Sequence, residues 1–171
     1  MTTERPNIAT TAGQAQLKEM GVKPIPAPDD LTKPYWEAAK KQELRIQKCL
    51  NCSEYRHPPA IQCPLCYSKQ VEWAKLSGKG TVFTFIIDHR LMVPGFDEPY
   101  AVVVVNPEEA QHDTVRITGN VRECDRGDVY VGMPVEVVFE ERTAGAILPQ
   151  WKPGAGAKLR SKGETPPVIR S

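Results

Sequence analysis

From Gly80 onward the chain alternates with a period of two, placing Thr81, Phe83, Phe85 and Ile87 on one side and Val82, Thr84 and Ile86 on the other. Successive side chains of a strand point to opposite faces, so this pattern predicts one long sheet strand. Tyr100 to Asn106 is a nearly continuous valine run, and Thr114 to Val121 and Val135 to Glu140 are also rich in β-branched residues. Each is bounded by Gly, Pro, Asn or Asp, which marks it as a further strand. About five short strands with a Gly132-Met133-Pro134 turn suit a five-stranded OB-type Greek-key barrel, whereas a sandwich usually needs about seven.

Upstream the period changes. Thr32 is a candidate helix cap with Pro34 in the first turn, and Tyr35, Trp36, Ala39 and Leu44 recur at helical spacing through about Gln42. Leu44 to Lys48 then alternates apolar with polar residues, predicting a strand that leads into a cysteine pair. Residues 1–32 hold one weakly amphipathic stretch, Gln14 to Met20, stopped by Gly21 and followed by Pro24, Pro26 and Pro28. They read as an extension and linker. The division expected is therefore an extension (1–32), a helix and ribbon (33–75), a barrel (76–152) and a disordered basic tail (153–171) rich in Gly, Lys, Arg and Pro. The fold class is mainly β.

The 171 residues are 40% apolar and 25% charged, enough for one real core. No run of about 18 apolar residues occurs, and residues 1–11 lack a basic stretch followed by an apolar one. A cytoplasmic protein with no membrane span is expected. Net charge is +1 but unevenly spread: residues 33–75 carry eight basic against four acidic side chains, and residues 76–152 seven against twelve. An acidic barrel is poorly suited to gripping a phosphate backbone. The basic ribbon remains able to meet a small anion.

Charge counts say less than the cysteines do. Four of the five lie within 18 residues, as Cys49-Leu50-Asn51-Cys52 and Cys63-Pro64-Leu65-Cys66 with ten residues between. Doubled C-x2-C in a reducing compartment points to metal rather than disulfides. Soft thiolates at all four corners select zinc or iron, and a closed site with no water position contributes to folding instead of activating a nucleophile. Structural zinc is expected; a red protein with thiolate-to-iron bands would mark iron in a redox role. Cys124 is left over, with no histidine near it in sequence, and reads as an incidental thiol. His57, within Arg56-His57-Pro58-Pro59, is assigned to packing or hydrogen bonding because the coordination is already complete. Ser77 to Thr81 lacks phosphate-loop spacing and is a turn. No nucleophile, base and oxyanion constellation emerges, so no catalytic residue is expected.

Pro34-Tyr35-Trp36-Glu37, the knuckle pair flanking His57-Pro58-Pro59, Gly78-Lys79-Gly80-Thr81-Val82, Pro99-Tyr100, Gly132-Met133-Pro134-Val135 and Leu148-Pro149 follow one another in a single collinear order. Together with the segment from His89-Arg90 to Pro94-Gly95-Phe96, they resemble the zinc-ribbon/OB-fold acyl-CoA-associated family over about residues 33–152. That family was long catalogued as a domain of unknown function. The resemblance implies a non-catalytic accessory subunit in a hetero-oligomer with a thiolase-like partner, such as a thiolase, acyltransferase or retro-aldolase, with a CoA thioester as shared ligand. The expected partner interface is Tyr35, Trp36, His89, Arg90, Met92, Pro94, Phe96 and Tyr100. Lys40, Lys41, Arg45 and Lys48 are the expected CoA phosphate contacts. Ser53 and Tyr67 stand where the family usually carries glycine after the second cysteine of each knuckle. The alternative from another class is a single-stranded nucleic-acid-binding module, which would need exposed aromatics on a basic barrel face.

Overall fold

The computed structural model describes residues 25–89, 99–110, 115–142 and 145–159. In chain order these form helix α1 (Lys33–Lys40), strands β1 (Arg45–Cys49), β2 (Tyr55–Arg56), β3 (Val71–Lys75), β4 (Lys79–Asp88), β5 (Tyr100–Pro107) and β6 (Ile117–Asn120), a 3-10 turn (Arg126–Asp128), then β7 (Pro134–Glu141) and β8 (Ile147–Pro153).

Thr32 occupies the N-cap position, but its side chain caps no helix amide and is instead held by Asp29. The Asp29 carboxylate accepts the Thr32 amide at 2.7 Å and the Thr32 hydroxyl as well. These hydrogen bonds from Thr32 hold the Asp29 carboxyl below its ordinary pKa. The helix stops at Lys40, two residues short of the expected end, because Gln42 turns to a positive φ of 57°.

Strands β2-β1-β3 form the ribbon sheet, and the larger sheet runs β6-β5-β4-β7-β8. A parallel bridge between Val121 and Trp151 closes the larger sheet, reinforced by the Arg122 amide donating to the Trp151 carbonyl at 2.7 Å. This closure makes the five-stranded OB barrel. Its fifth strand, β8, carries Pro149 and Pro153, which hide it from a period-two reading. Proline is tolerated because β8 forms a backbone ladder with β7 alone, its other edge being joined only through the Val121–Trp151 bridge just beyond β6.

One expectation within β4 is corrected. The register slips between Val82 and Thr84, so Phe83 is a bulge residue and the faces exchange there. Gly80 and Val82 are buried, Thr81, Phe83, Thr84 and Ile86 are exposed, and Phe85 packs against the core. An extra residue inverts every following side chain because strand periodicity is two. The expected strand from Thr114 to Val121 contracts to Ile117–Asn120, and Thr114 lies outside the described residues.

Ribbon and barrel share one core. Tyr35, Leu44 and Ile46 pack in the same cluster as Leu76, Val82, Val103, Val105, Met133 and Trp151. Trp151 is 1% exposed and packs against β6, where a Cβ added to Gly119 would come within 2.8 Å of its Cδ1. Beyond Pro153, residues expected in a loose tail are held: the Gly154 amide donates to the Pro134 carbonyl at 2.9 Å and the Lys158 amide to the Tyr130 hydroxyl at 3.0 Å.

Candidate metal centre

The two knuckles repeat one hydrogen-bonded turn. The Cys49 amide donates to the Glu54 carbonyl and the Ser53 amide to the Cys49 carbonyl, at 2.8 and 2.9 Å; the Cys63 and Tyr67 amides repeat the pattern to Ser68 and Cys63 at the same two distances. To close this way the chain must enter the left-handed region after each second cysteine, and Ser53 and Tyr67 adopt φ values of 63° and 58°. The two positions lacking the family's glycine nonetheless keep the glycine-type backbone.

The four sulfurs lie within 4.8 Å of one another, with Cys49–Cys66 and Cys52–Cys63 separations of 3.6 Å. A zinc tetrahedron with bonds of about 2.3 Å needs sulfur separations of about 3.8 Å, so the cage fits the ion closely. Amide dipoles prepare it further. The Cys66 and Leu65 amides point at the Cys63 sulfur and lower its pKa to about 6, and the Cys52 and Asn51 amides lower that of Cys49. Cys52 receives a similar bond from Glu54, yet burial and the neighbouring sulfurs outweigh it and push this thiol to about 12. A divalent cation removes that conflict by binding all four as thiolates. The cysteines are placed for zinc in a closed site with no position for a reacting water.

Other sequence candidates resolve differently. His57 packs its ring against Tyr35, centroids 5.2 Å apart, and burial pushes its pKa down, so it is a neutral packing group. Burial pushes the Cys124 thiol up to about 11, aided by Asp128 and Asp125, which is opposite to what a nucleophile needs. Tyr35 is buried within the protein's own core, and Trp36 is half-buried edge-on against it. His89 is exposed, and the Tyr100 hydroxyl donates to Asp88 at 3.2 Å. Arg90, Met92, Pro94 and Phe96 lie outside the described residues. Lys40 and Lys41 are exposed at the end of α1, Lys48 approaches the Tyr55 ring, and Arg45 is engaged by Glu43 at 2.8 Å and the Trp73 carbonyl at 3.0 Å.

Two features were not legible from spacing. A cleft of about 720 Å³ opens where β5 begins and β6 ends, lined among others by Tyr100, Asn120, Arg122, Cys124 and Phe139. Glu140 on its wall is clasped by Arg122 at 3.1 Å and Arg142 at 2.9 Å. On the outer barrel face Ile86 pairs with Val102 and Thr84 with Val104, leaving Ile86 64% and Phe83 48% exposed. Arg116 covers the Phe83 ring at 4.0 Å.

Comparison with known proteins agrees with this geometry. Residues 36–72 match the family described as ChsH2, rubredoxin-like zinc ribbon domain, and residues 73–140 match ChsH2, C-terminal OB-fold domain. A DUF35 domain-containing scaffold protein of Methanocaldococcus jannaschii is 37% identical over 108 residues, covering 61% of this chain and 73% of that protein. A probable enoyl-CoA hydratase alpha subunit of Thermomonospora curvata is 31% identical over 140 residues, covering 82% of this chain. The chain spans only 43% of that relative's length. Among solved structures, the Ltp2-ChsH2(DUF35) aldolase matches with a TM-score of 0.69 and 32% identity over 75% of this chain and 98% of that one. The protein therefore belongs to the DUF35 family, in the ChsH2 form that joins a rubredoxin-like zinc ribbon to an OB-fold barrel.

Proposed function

We propose that this chain is a non-catalytic accessory subunit of a complex with a thiolase-like protein acting on an acyl-CoA. The observation that carries the reading is the match, at 32% identity over 98% of its length, to a chain of the Ltp2-ChsH2(DUF35) aldolase. The chemistry of the residues agrees. The metal cage is closed, Cys124 is held protonated and His57 is packed away, so the described side chains offer binding surface rather than a reacting group. The relative named as an enoyl-CoA hydratase alpha subunit supports a CoA thioester as the ligand class.

Partner contact is assigned to Trp36, His89 and Tyr100 together with the connection that carries Arg90, Met92, Pro94 and Phe96. Lys40, Lys41 and Lys48 are assigned to CoA phosphates; Arg45, already engaged by Glu43, contributes less. Co-expression with the thiolase-like subunit, followed by turnover of a CoA thioester with and without this chain, tests the reading. Loss of turnover in its absence is expected, and full activity of the partner alone would refute it. Exposed charge contacts are screened by salt, so the Lys40→Ala/Lys41→Ala double variant should raise KM mainly at low ionic strength.

One observation favours the nucleic-acid class: an arginine stacked on an exposed aromatic of the barrel face, Arg116 on Phe83. Against it stand twelve acidic side chains to seven basic in residues 76–152. Salt-sensitive binding of a labelled single strand would revive it.

A further inference from the structure

Eight large apolar side chains are exposed among the described residues, and four of them belong to the metal ribbon. Leu50, Ile61, Leu65 and Tyr67 are 56, 74, 62 and 72% exposed. The cage brings three of them, Leu50, Leu65 and Tyr67, to one end of the ribbon. Leu50 follows Cys49, whose sulfur lies 3.6 Å from that of Cys66, and Leu65 and Tyr67 flank Cys66. The Leu50 amide also donates to the Gln70 carbonyl at 3.1 Å, tying the first knuckle to the exit of the second. A knuckle turns its cysteines inward and its intervening residues outward, and polar residues there would serve the fold equally well. Clustered apolar groups at such a position mark a docking surface.

Beside this tip lies a cavity of about 280 Å³, lined among others by Arg56, His57, Gln62, Cys63 and Leu65. Arg56 is 7% exposed, and its charge has no acidic partner among the described residues. Its Nε donates to Gln47 Oε1 at 2.6 Å, but that oxygen also accepts the Ala60 amide at 2.9 Å, and Nη1 and Nη2 have no acceptor among the described residues. Glu54 lines the same cavity without bonding Arg56. A guanidinium cannot discharge itself by losing a proton, so two buried donors in a fixed fork are matched best by a carboxylate. The surrounding segment adds to this preference, with eight basic against four acidic side chains in residues 33–75.

We infer that the ribbon tip is a docking face for the partner subunit, and that a carboxylate carried on an apolar segment of that partner enters the cavity beside Arg56, whose guanidinium turns into it to pair with the acid. The inference rests on the accessory-subunit reading above. It adds a contact region apart from Trp36 and the β4–β5 connection. Leu65 in the cavity lining and Leu50 and Tyr67 on the knuckles supply apolar contact, and Arg56 supplies direction and selectivity for the acidic group.

The test uses the full chain, zinc-loaded, co-purified with its thiolase-like subunit. A photoreactive phenylalanine analogue at position 61 or 65 should crosslink to that subunit at a segment containing an Asp or Glu. Leu65→Ser and Arg56→Gln should each weaken association at least tenfold while zinc content is unchanged, and Val131→Ser, an exposed change on the barrel, should not. Converting the crosslinked partner acid to its amide should reproduce the Arg56→Gln loss, with no further loss when the two are combined. If Arg56→Gln loses zinc, the crosslink and Leu65→Ser decide the matter alone. Association unchanged by Leu65→Ser, or crosslinks only to a second copy of this chain, overturns the docking face and leaves the accessory reading standing. Failure of the unmodified chain to bind the subunit removes both.

Discussion

Ser53→Gly should strengthen the metal site. Ser53 and Tyr67 hold φ values of 63° and 58° because their amides must reach back to Cys49 and Cys63, each at 2.9 Å. A side chain in that conformation costs roughly 1–2 kcal/mol through the clash of Cβ with the following carbonyl. Glycine removes the clash but frees the unfolded chain, which returns roughly 0.4–1 kcal/mol of the gain. Ser53 is exposed and its side chain makes no hydrogen bond among the described residues, so nothing else is lost. The net expectation is a gain of about 1 kcal/mol, equivalent to roughly fivefold tighter zinc binding if the ribbon folds as the metal binds. Competition for zinc against a chelator of known affinity, with thermal unfolding alongside, measures this directly. Ser53→Val supplies the opposite arm, since a β-branched residue tolerates positive φ least. Zinc affinity lowered by glycine, or insensitive to both substitutions, would refute the claim that the left-handed turn strains this knuckle. Tyr67→Gly separates the two roles of that residue: it should tighten zinc yet weaken partner binding, because the 72% exposed ring belongs to the proposed docking face.

Cys63→Ser or chelation should lower the stability of the barrel as well as the ribbon, because Tyr35, Leu44 and Ile46 lie in the core that holds Trp151; two well-separated unfolding transitions would contradict this. Gly119→Ala forces a methyl to 2.8 Å from the Trp151 indole and should cost about 1–3 kcal/mol, read as a lowered unfolding midpoint with zinc content unchanged. Cys124 should resist alkylation at pH 8 and gain reactivity only as pH nears its raised pKa of about 11, whereas rapid labelling at pH 7 would mean its surroundings are not those described. Burial lowers the pKa of His57, so its contribution to stability is present above the unfolded value of about 6.5 and is lost as pH falls below it; a His57→Phe variant should lose less stability than the parent between pH 7 and 5, measured as unfolding midpoints relative to each protein's own value at pH 7.

Features set by short spacings were legible along the chain. Doubled C-x2-C specifies a four-thiolate cage because two residues between ligands suffice to turn each knuckle, and the structure gathers those four sulfurs within 4.8 Å. The helix at Pro34 follows from a period of 3.6, and the strand at Tyr100 from its run of β-branched valines. What depended on distant partners was not legible. Two prolines masked β8 until its pairing with β7 revealed an open side to accommodate them, and the Phe83 bulge appears only in the register against β5. Tyr35 read as an outward anchor on a short helix; burial in a core shared with the barrel decided otherwise. That Arg56 is buried with its two Nη atoms lacking an acceptor among the described residues also arises from tertiary packing, since its letter in the sequence does not differ from that of a solvated arginine. Periodicity records which side of an element is apolar, while burial, bulges and missing partners depend on residues brought together from far along the chain.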